Sequence, residues 1–219
     1  ACIRDLQSLL PHVKVYSMYG LTECKRVSYL SPDQLDRRAN SVGIPMPNVE
    51  VFVVNKKGQE VEPGEVGELV VRGSNVMQGY WNAPKATART FRPGRYRGDS
   101  LLYTGDLFKK DEEGFLYFIA RKDDMFKSKG ERVSPKEIEN TLCEIDGIVE
   151  SAVIGVPDEI YGQAIKAFVV AKEGNGLTKD QIMTYCMKNL EPFLVPKYVE
   201  FTDSVSKSSN GKIDKKQLK

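Results

Sequence analysis

The stretch MYGLTE, residues 18–23, brings together three side chains that suit a nucleotide. Tyr19 carries a ring that can stack on a base, Thr22 can donate to a phosphate, and the carboxylate of Glu23 can hold Mg²⁺. An apolar run, VKVYS, comes first. We therefore expect a strand that Gly20 breaks, with the next side chains at its end, where ligands meet α/β sheets. An ordinary turn with a solvated Glu23 is the alternative.

A second stretch, YTGDL at residues 103–107, places Asp106 directly after a glycine. Glycine lets the backbone approach a ligand closely. A carboxylate at this position can accept hydrogen bonds from both hydroxyls of a ribose. A strand-end turn in which Asp106 bonds its own backbone explains the same residues.

The stretch ARKDDMFKSKGERVSPKEIE, residues 120–139, sets acids beside bases and places a glycine-containing turn before a helix. Such a turn can clasp an anion. A charged linker between two domains is the other interpretation. The two are compatible, because a hinge must also be polar and exposed.

A fourth stretch, SSNGKID at residues 208–214, predicts a turn at Asn210 and Gly211. This turn would project Lys212 away from its own domain, as a lysine aimed at a phosphate or a carboxylate requires. An ordinary surface lysine is the alternative.

The hydrophobic pattern between about Val42 and Arg121 predicts short strands separated by turns. The runs are VEVFVV, GELVVRG, LLYTGDLF and FLYFIAR. They predict an antiparallel, barrel-like region.

From residue 122 onward the pattern changes to that of a small α+β unit. An S-P-K-E capping box beginning at Ser134 opens a helix that should end near Cys143. The strands VESAVIGV and AIKAFVVA follow, and T-K-D-Q then opens a second capped helix. Its apolar stripe consists of Ile182, Tyr185, Cys186 and Leu190. The polar residues 121–124 between the two regions are the expected domain boundary.

Composition excludes several classes of protein. Lys and Arg number 32 against 30 Asp and Glu, and they are interspersed, so no basic field indicates nucleic acid or an anionic membrane. No apolar run approaches the roughly 20 residues that cross a bilayer, and the start lacks a signal peptide. The lysine-rich tail, residues 207–219, is compatible with a frayed end. Four widely separated cysteines are typical of reduced thiols in a cytoplasmic protein: Cys2, Cys24, Cys143 and Cys186.

In this order and at these separations, the four motifs resemble the adenylate-forming superfamily of acyl-CoA synthetases, peptide-synthetase adenylation domains and luciferases. The similarity covers nearly the whole chain and includes SVGIPMPNVEVFVV, GEVGELVVRG, GYWNAPKAT, AVIGVPDEIYGQ and NGKIDKKQL. It implies the end of a large AMP-binding domain in residues 1–121, with a nucleotide loop in 1–41 and a β-barrel subdomain in 42–121. A small mobile α+β lid domain would follow in residues 122–219.

The resemblance also implies a role for each matching residue. The matches in the large domain are Tyr19 and Gly20 for adenine, Thr22 for a phosphate or carboxylate, Glu23 for Mg²⁺, and Asp106 with Arg121 for the ribose. The matches in the small domain are Asp123 as the hinge, Lys129 and Gly130 along the route of the thiol, Arg132 near the ATP phosphates, and Lys212 as the adenylation lysine.

The reaction implied is that of an acyl-CoA synthetase, in which ATP, a small carboxylic acid and CoA give an acyl thioester, AMP and pyrophosphate. The family's Ser/Thr/Gly-rich phosphate loop, followed by Pro-Lys-Gly, is nowhere in the sequence. We therefore expect the chain to be the C-terminal portion of such an enzyme and to adenylate weakly or not at all alone. An adenylation domain serving a carrier protein and a non-catalytic piece that binds nucleotide or CoA are the alternatives.

Three departures from the family pattern stand out. Ala120 occupies a place where the family often has Gly, and the stretch before Lys212 lacks the common Pro-Arg-Thr. Cys24, directly after Glu23, is unusual. It is interpreted either as a small buried residue or as a substrate-specific contact.

Overall fold

A computed structural model of the chain describes residues 2–208, 211 and 213–218. The chain divides into two compact units, residues 1–122 and 123–219, each with its own hydrophobic core. The division between residues 122 and 123 lies inside the expected boundary, residues 121–124. Sheets dominate the described part of both units, which confirms the mixed α/β class. Within these residues, no helix is long and apolar enough to cross a membrane.

The first unit begins with helix α1 (Cys2–Leu9), which the hydrophobic pattern does not predict. A three-stranded antiparallel sheet follows, in the order β1-β2-β3. Its strands are β1 (Ser17–Leu21), β2 (Cys24–Leu30) and β3 (Ile44–Pro45).

Gly20 lies inside β1 and does not break a strand, which corrects the expectation drawn from VKVYS. The pairing of β1 with β2 shifts register between Tyr19 and Leu21. A Cβ atom built on Gly20 would lie 2.1 Å from the carbonyl oxygen of Lys25. Glycine is required because the two backbones approach too closely for any side chain. The chain therefore turns later than predicted, at residues 22–23.

The larger sheet of the first unit is antiparallel and contains the four strands predicted between residues 42 and 121. Strand β7 is its longest member: one edge pairs with β5, and the other is shared by β6 and β8. Helix α2 (Pro84–Thr90) precedes β6. The strands are β4 (Val49–Val54), β5 (Val66–Gly73), β6 (Phe91–Pro93), β7 (Ser100–Lys110) and β8 (Leu116–Arg121). Closure of this sheet into a barrel stays a prediction.

The second unit opens with a hairpin and continues with a three-stranded sheet flanked by two helices. In this sheet β11 and β12 are antiparallel, whereas β12 and β13 are parallel. Helices α3 and α4 contribute Ile138, Leu142, Ile182 and Cys186 to a fully buried core with the sheet. The elements are β9 (Phe126–Ser128), β10 (Glu131–Val133), α3 (Pro135–Cys143), β11 (Ile148–Asp158), β12 (Gly162–Ala171), α4 (Lys179–Asn189) and β13 (Tyr198–Phe201).

Of the two predicted capping boxes, one is confirmed and one is wrong. The hydroxyl of Thr178 accepts from the Gln181 amide at 3.3 Å, and the Gln181 side chain accepts from the Thr178 amide at 2.9 Å. Helix α3 also begins where predicted, but the Ser134 side chain makes no capping hydrogen bond. Ser134 is buried, and Pro135 in the first turn fixes a helical φ without that bond.

The tail is docked over its described residues, which corrects the interpretation of residues 207–219 as a frayed end. A short 3₁₀ helix, Lys215–Leu218, closes the chain. A small apolar cluster joins tail to sheet on the face opposite the two helices. It contains Ala152, Ile154, Phe168 and Val205, with Ile213 and Leu218 packed against them.

The thiols of the described residues differ in how deeply they are buried. Cys24 and Cys186 have no exposed surface, whereas Cys143 is exposed. Burial raises the pKa of the Cys24 thiol and raises that of Cys186 to about 11. The burial of Cys24 agrees with a small core residue and argues against a substrate contact.

In a Cys2→Ser variant we therefore expect one thiol, Cys143, to react rapidly with dithiobis(nitrobenzoate) at pH 8, and two more only after unfolding.

The folded pKa of Cys186 lies above its unfolded value. The unfolded chain thus loses the proton first, and stability should fall as the pH rises from about 9 to about 11. Rapid reaction of all three thiols in the folded protein would contradict this assignment.

Candidate active site

Asp106 is the centre of a polar network in the first unit. It lies on β7 directly opposite Arg121 of β8 and is only 4% exposed. The Tyr19 hydroxyl donates to its Oδ2 at 2.6 Å, and Arg121 Nε donates to its Oδ1 at 2.9 Å. A buried carboxylate needs such partners. Asp106 therefore does not act as a cap for its own backbone, and its side chain is fixed from two sides.

Tyr19 is held as firmly as the carboxylate that it contacts. Its ring packs edge-on against Phe108, with ring centroids 4.9 Å apart. Burial, reinforced by the neighbouring Asp106 carboxylate, raises the pKa of the Tyr19 phenol well above its usual value. The phenol thus keeps its proton and continues to donate to Asp106.

Strand β7 has an irregularity at Gly105 that depends on Glu68, a residue that sequence reasoning missed. Gly105 has a left-handed φ of +72° and donates its amide to Glu68 Oε1 at 3.2 Å. Its carbonyl accepts from the Lys122 amide at 2.8 Å, and Lys122 Nζ pairs with Glu68 Oε2 at 2.9 Å. An acid inside the apolar strand GELVV was the available signal. Glu68 and Lys122 hold the backbone beside Asp106.

Glu23 lies in the turn between β1 and β2, next to the exposed Thr22. The Tyr80 hydroxyl donates to Glu23 Oε1, and the Glu23 carbonyl accepts from the Met77 amide at 2.9 Å. Burial, and then the bond to Glu23, raises the pKa of Tyr80. Tyr80 therefore orients the carboxylate, a role that its position in GYWNAPKAT did not reveal.

The hairpin of β9 and β10 turns on Lys129 and Gly130. Their φ angles are +54° and +86°, the pair of positive values typical of a two-residue type I′ turn. Arg132 lies directly opposite Lys127 across the hairpin. Like charges in facing positions repel, so this hairpin suits an anionic ligand.

A groove beside this hairpin is centred on the ring of Tyr161. Lys129 Nζ and Lys197 Nζ lie 5.2 Å and 5.1 Å from the ring centroid. Lys129 also donates to the Pro192 carbonyl at 3.1 Å, and Lys197 pairs with Asp158 at 2.6 Å. The remaining lining is apolar and consists of Met187, Val195 and Pro196.

The structure thus brings only part of the predicted site together by direct contact. Tyr19, Asp106 and Arg121 form one network, with Gly20, Thr22 and Glu23 following Tyr19 along the β1–β2 hairpin. The second unit carries Asp123, Lys129, Gly130 and Arg132. Asp123 is exposed and is the first residue of that unit. Lys212 lies outside the described residues.

Comparison with known proteins gives two family matches. The AMP-binding enzyme family matches residues 1–81, and the AMP-binding enzyme C-terminal domain matches residues 137–212. A long-chain-fatty-acid–CoA ligase of Salmonella typhi is 41% identical over 92% of this chain and 35% of the ligase. A 2-succinylbenzoate–CoA ligase of a Geobacillus strain is 36% identical over 94% of this chain and 41% of the ligase.

Solved structures agree. An o-succinylbenzoate CoA synthetase of Bacillus subtilis, in complex with its acyl-adenylate intermediate, has a TM-score of 0.88 at 30% identity, covering 99% of this chain and 43% of that one. An amide bond synthetase of Marinactinospora thermotolerans has a TM-score of 0.84 at 33% identity, covering 93% and 41%. The chain therefore belongs to the adenylate-forming superfamily of AMP-binding enzymes. It spans between a third and a half of the length of these relatives.

Proposed function

We propose that the chain is the later part of an AMP-forming acid–thiol ligase, called the intact enzyme below. The intact enzyme joins a carboxylic acid to AMP with release of pyrophosphate, and then transfers the acyl group to the thiol of CoA. The observation that carries this proposal is the fixed Asp106 carboxylate between Tyr19 and Arg121. Its relatives named as CoA ligases support the same reaction.

The network around Asp106 suits the nucleoside of ATP. The carboxylate would accept the ribose hydroxyls, and the Tyr19 ring would stack on adenine while its hydroxyl keeps Asp106 in place. The Arg121 side chain is 55% exposed, so it can adjust when the nucleotide binds. Binding would replace solvent at groups that are already oriented, which favours affinity.

The residues of the β1–β2 turn fit Mg²⁺ bound together with ATP. Proteins usually hold this ion through one or two carboxylates and the substrate phosphates, so a three-ligand cluster is not required. Among the described residues, no group of three or more His, Cys, Asp or Glu side chains is arranged to hold a metal ion. The Glu23 carboxylate, oriented by Tyr80, would be the protein ligand, and Thr22 would contact a phosphate or the carboxylate substrate. When bound, Mg²⁺ would offset the negative charge of the phosphates.

The second unit supplies the groups suited to phosphates and to CoA. Arg132, facing Lys127, would approach the ATP phosphates. Lys129 and Gly130 would lie along the route of the thiol. The groove at Tyr161, aromatic and flanked by two lysines, fits the charged nucleotide end of CoA.

The identity of the thiol that accepts the acyl group is better supported than the identity of the carboxylic acid. The long-chain-fatty-acid and 2-succinylbenzoate ligases share CoA in their names and differ in the acid. CoA is therefore proposed over a carrier protein. A fatty acid is one candidate for the carboxylate. A chain that only binds nucleotide or CoA is the alternative from another class.

Pyrophosphate exchange with a panel of carboxylic acids tests the proposal. We expect exchange by the intact enzyme and weak or no exchange by this chain alone, because its sequence contains no phosphate loop. Adding CoA or a phosphopantetheinylated carrier protein then identifies the acceptor. Failure of the intact enzyme to exchange with any acid would favour the binding-only alternative.

Asp123→Pro should slow one of the two half-reactions far more than the other. Proline fixes φ near −65°, so a backbone rotation at the junction of the two units would be blocked in one pose. Each half-reaction is measured separately in the intact enzyme, with Asp123→Ala as the control that leaves φ free. Unchanged rates of both steps in Asp123→Pro would refute the hinge.

A further inference from the structure

Backbone contacts fasten the C-terminal tail on both sides of Lys212. Lys207 and Ile213 form an isolated antiparallel bridge. The Asp214 amide donates to the Ser206 carbonyl at 2.8 Å. The described stretches that precede and follow Lys212 in the chain are therefore held together.

An ion pair then ties the tail that follows Lys212 to helix α3. Lys215 Nζ lies 2.6 Å from Glu139 Oε1, and the two side chains are only 21% and 9% exposed. The same carboxylate oxygen accepts from the Val153 amide at 3.0 Å. Val153 lies on β11, which is an edge strand of the sheet. Glu139 thus accepts a hydrogen bond from an amide of the edge strand and, through the same oxygen, pairs with a lysine of the tail.

The apolar side of the tail completes the attachment. Ile213 and Leu218 pack on Ala152, Ile154 and Phe168, on the face of the sheet away from α3 and α4. The charged contact at the strand edge and this apolar contact on the sheet face fix the tail in two directions. A lysine that must meet one phosphate oxygen needs such a support, because a displacement of about 1 Å can cost about a hundredfold in rate.

We propose that the Glu139–Lys215 ion pair positions the tail so that Lys212 acts in acyl-adenylate formation. Lys215 follows Lys212 by three residues in the chain. Releasing Lys215 would let the tail shift without removing any group that contacts substrate. Glu139 and Lys215 are therefore positioning residues, and the inference rests on the proposed function.

Glu139→Gln tests this with little disturbance, because the amide oxygen still accepts from the Val153 amide while the ion pair is lost. In the intact enzyme we expect pyrophosphate exchange to fall about tenfold to a hundredfold. Thioester formation from preformed acyl-adenylate should change less than about twofold, since it does not use Lys212 in this scheme. Hydrogen exchange at the amides of Asp214 and Gln217 should accelerate.

Two variants of Lys215 make the test specific. Lys215→Met should reproduce the selective loss, whereas Lys215→Arg keeps the charge and should restore exchange to within about threefold of the parent. Lys166→Met removes a pair with Glu200 on β12 and β13 of the same sheet and should leave both half-reactions unchanged. Equal losses in both half-reactions, or unchanged pyrophosphate exchange in Glu139→Gln, would overturn the inference.

Lys212→Ala, assayed in parallel, separates this inference from the proposed function. A loss in Lys212→Ala with none in Glu139→Gln would refute only the positioning role. Unchanged adenylation in Lys212→Ala would refute the role of Lys212 itself. The Glu139–Lys215 pair would then have no catalytic residue to position. Absence of pyrophosphate exchange in the parent enzyme would refute the proposed function.

Discussion

Lys212→Ala in the intact enzyme should lower the rate of acyl-adenylate formation about 10²- to 10³-fold, while thioester formation from preformed acyl-adenylate is largely spared. Attack of a carboxylate on the α-phosphate brings negative charges together. A positioned ammonium group stabilises the charge that develops in the pentacoordinate transition state, and its loss costs roughly 3 to 4 kcal/mol. The second half-reaction has no such encounter of anions.

The two half-reactions are measured separately, by pyrophosphate exchange and by thioester formation from synthetic acyl-adenylate. Lys188→Ala on α4, an exposed lysine of the same unit, is the matched control and should match the parent in both. Equal loss in both half-reactions would remove Lys212 from its proposed role, because a general disturbance of the second unit would then explain the data.

Glu23→Gln should lower the adenylation rate about a hundredfold and raise the Mg²⁺ concentration needed for half-maximal rate. The substitution keeps an oxygen that accepts from the Tyr80 hydroxyl, so the turn should retain its geometry. What is lost is the negative charge that would bind the cation. The measurement is the initial rate of pyrophosphate exchange across a Mg²⁺ titration.

Two variants control for other effects at Glu23. Glu112→Gln removes an exposed acid in the same unit and should leave the titration unchanged. Tyr80→Phe frees the Glu23 carboxylate without changing its charge, so it should produce a smaller loss of the same kind. An unaltered Mg²⁺ dependence in Glu23→Gln would show that this carboxylate is not the ligand.

Local patterns predicted the four longer strands of the larger sheet, β4, β5, β7 and β8, and also β11 and β12 of the second unit. The runs VEVFVV and FLYFIAR match β4 and β8, because β-branched and aromatic residues between turn signals favour strands. The turn at Lys129 and Gly130 was also foreseeable from its glycine. The role of Gly20 was predicted wrongly because glycine is required there by the close approach of the neighbouring strand at Lys25. No local sequence pattern contains that contact.

The contacts within the site were predicted only in part, for the same reason. Asp106 and Arg121 were recognisable from the motifs, but their facing positions depend on the register of β7 and β8. Tyr80 reaches Glu23 across a separation of 57 residues. Glu139 and Lys215 meet because the tail folds back over the sheet, whereas composition alone suggested a free end. Long-range pairs of this kind are set by tertiary packing.

The exposure of Cys143 provides a native attachment point for a spectroscopic label. It terminates α3 in the second unit, whereas Cys24 and Cys186 are shielded from reagents. After removal of Cys2, a spin label at Cys143 and a second one on an introduced cysteine in the first unit would report the distance between the two units in solution. The distribution of that distance, with and without nucleotide, would show how many arrangements of the two units are populated.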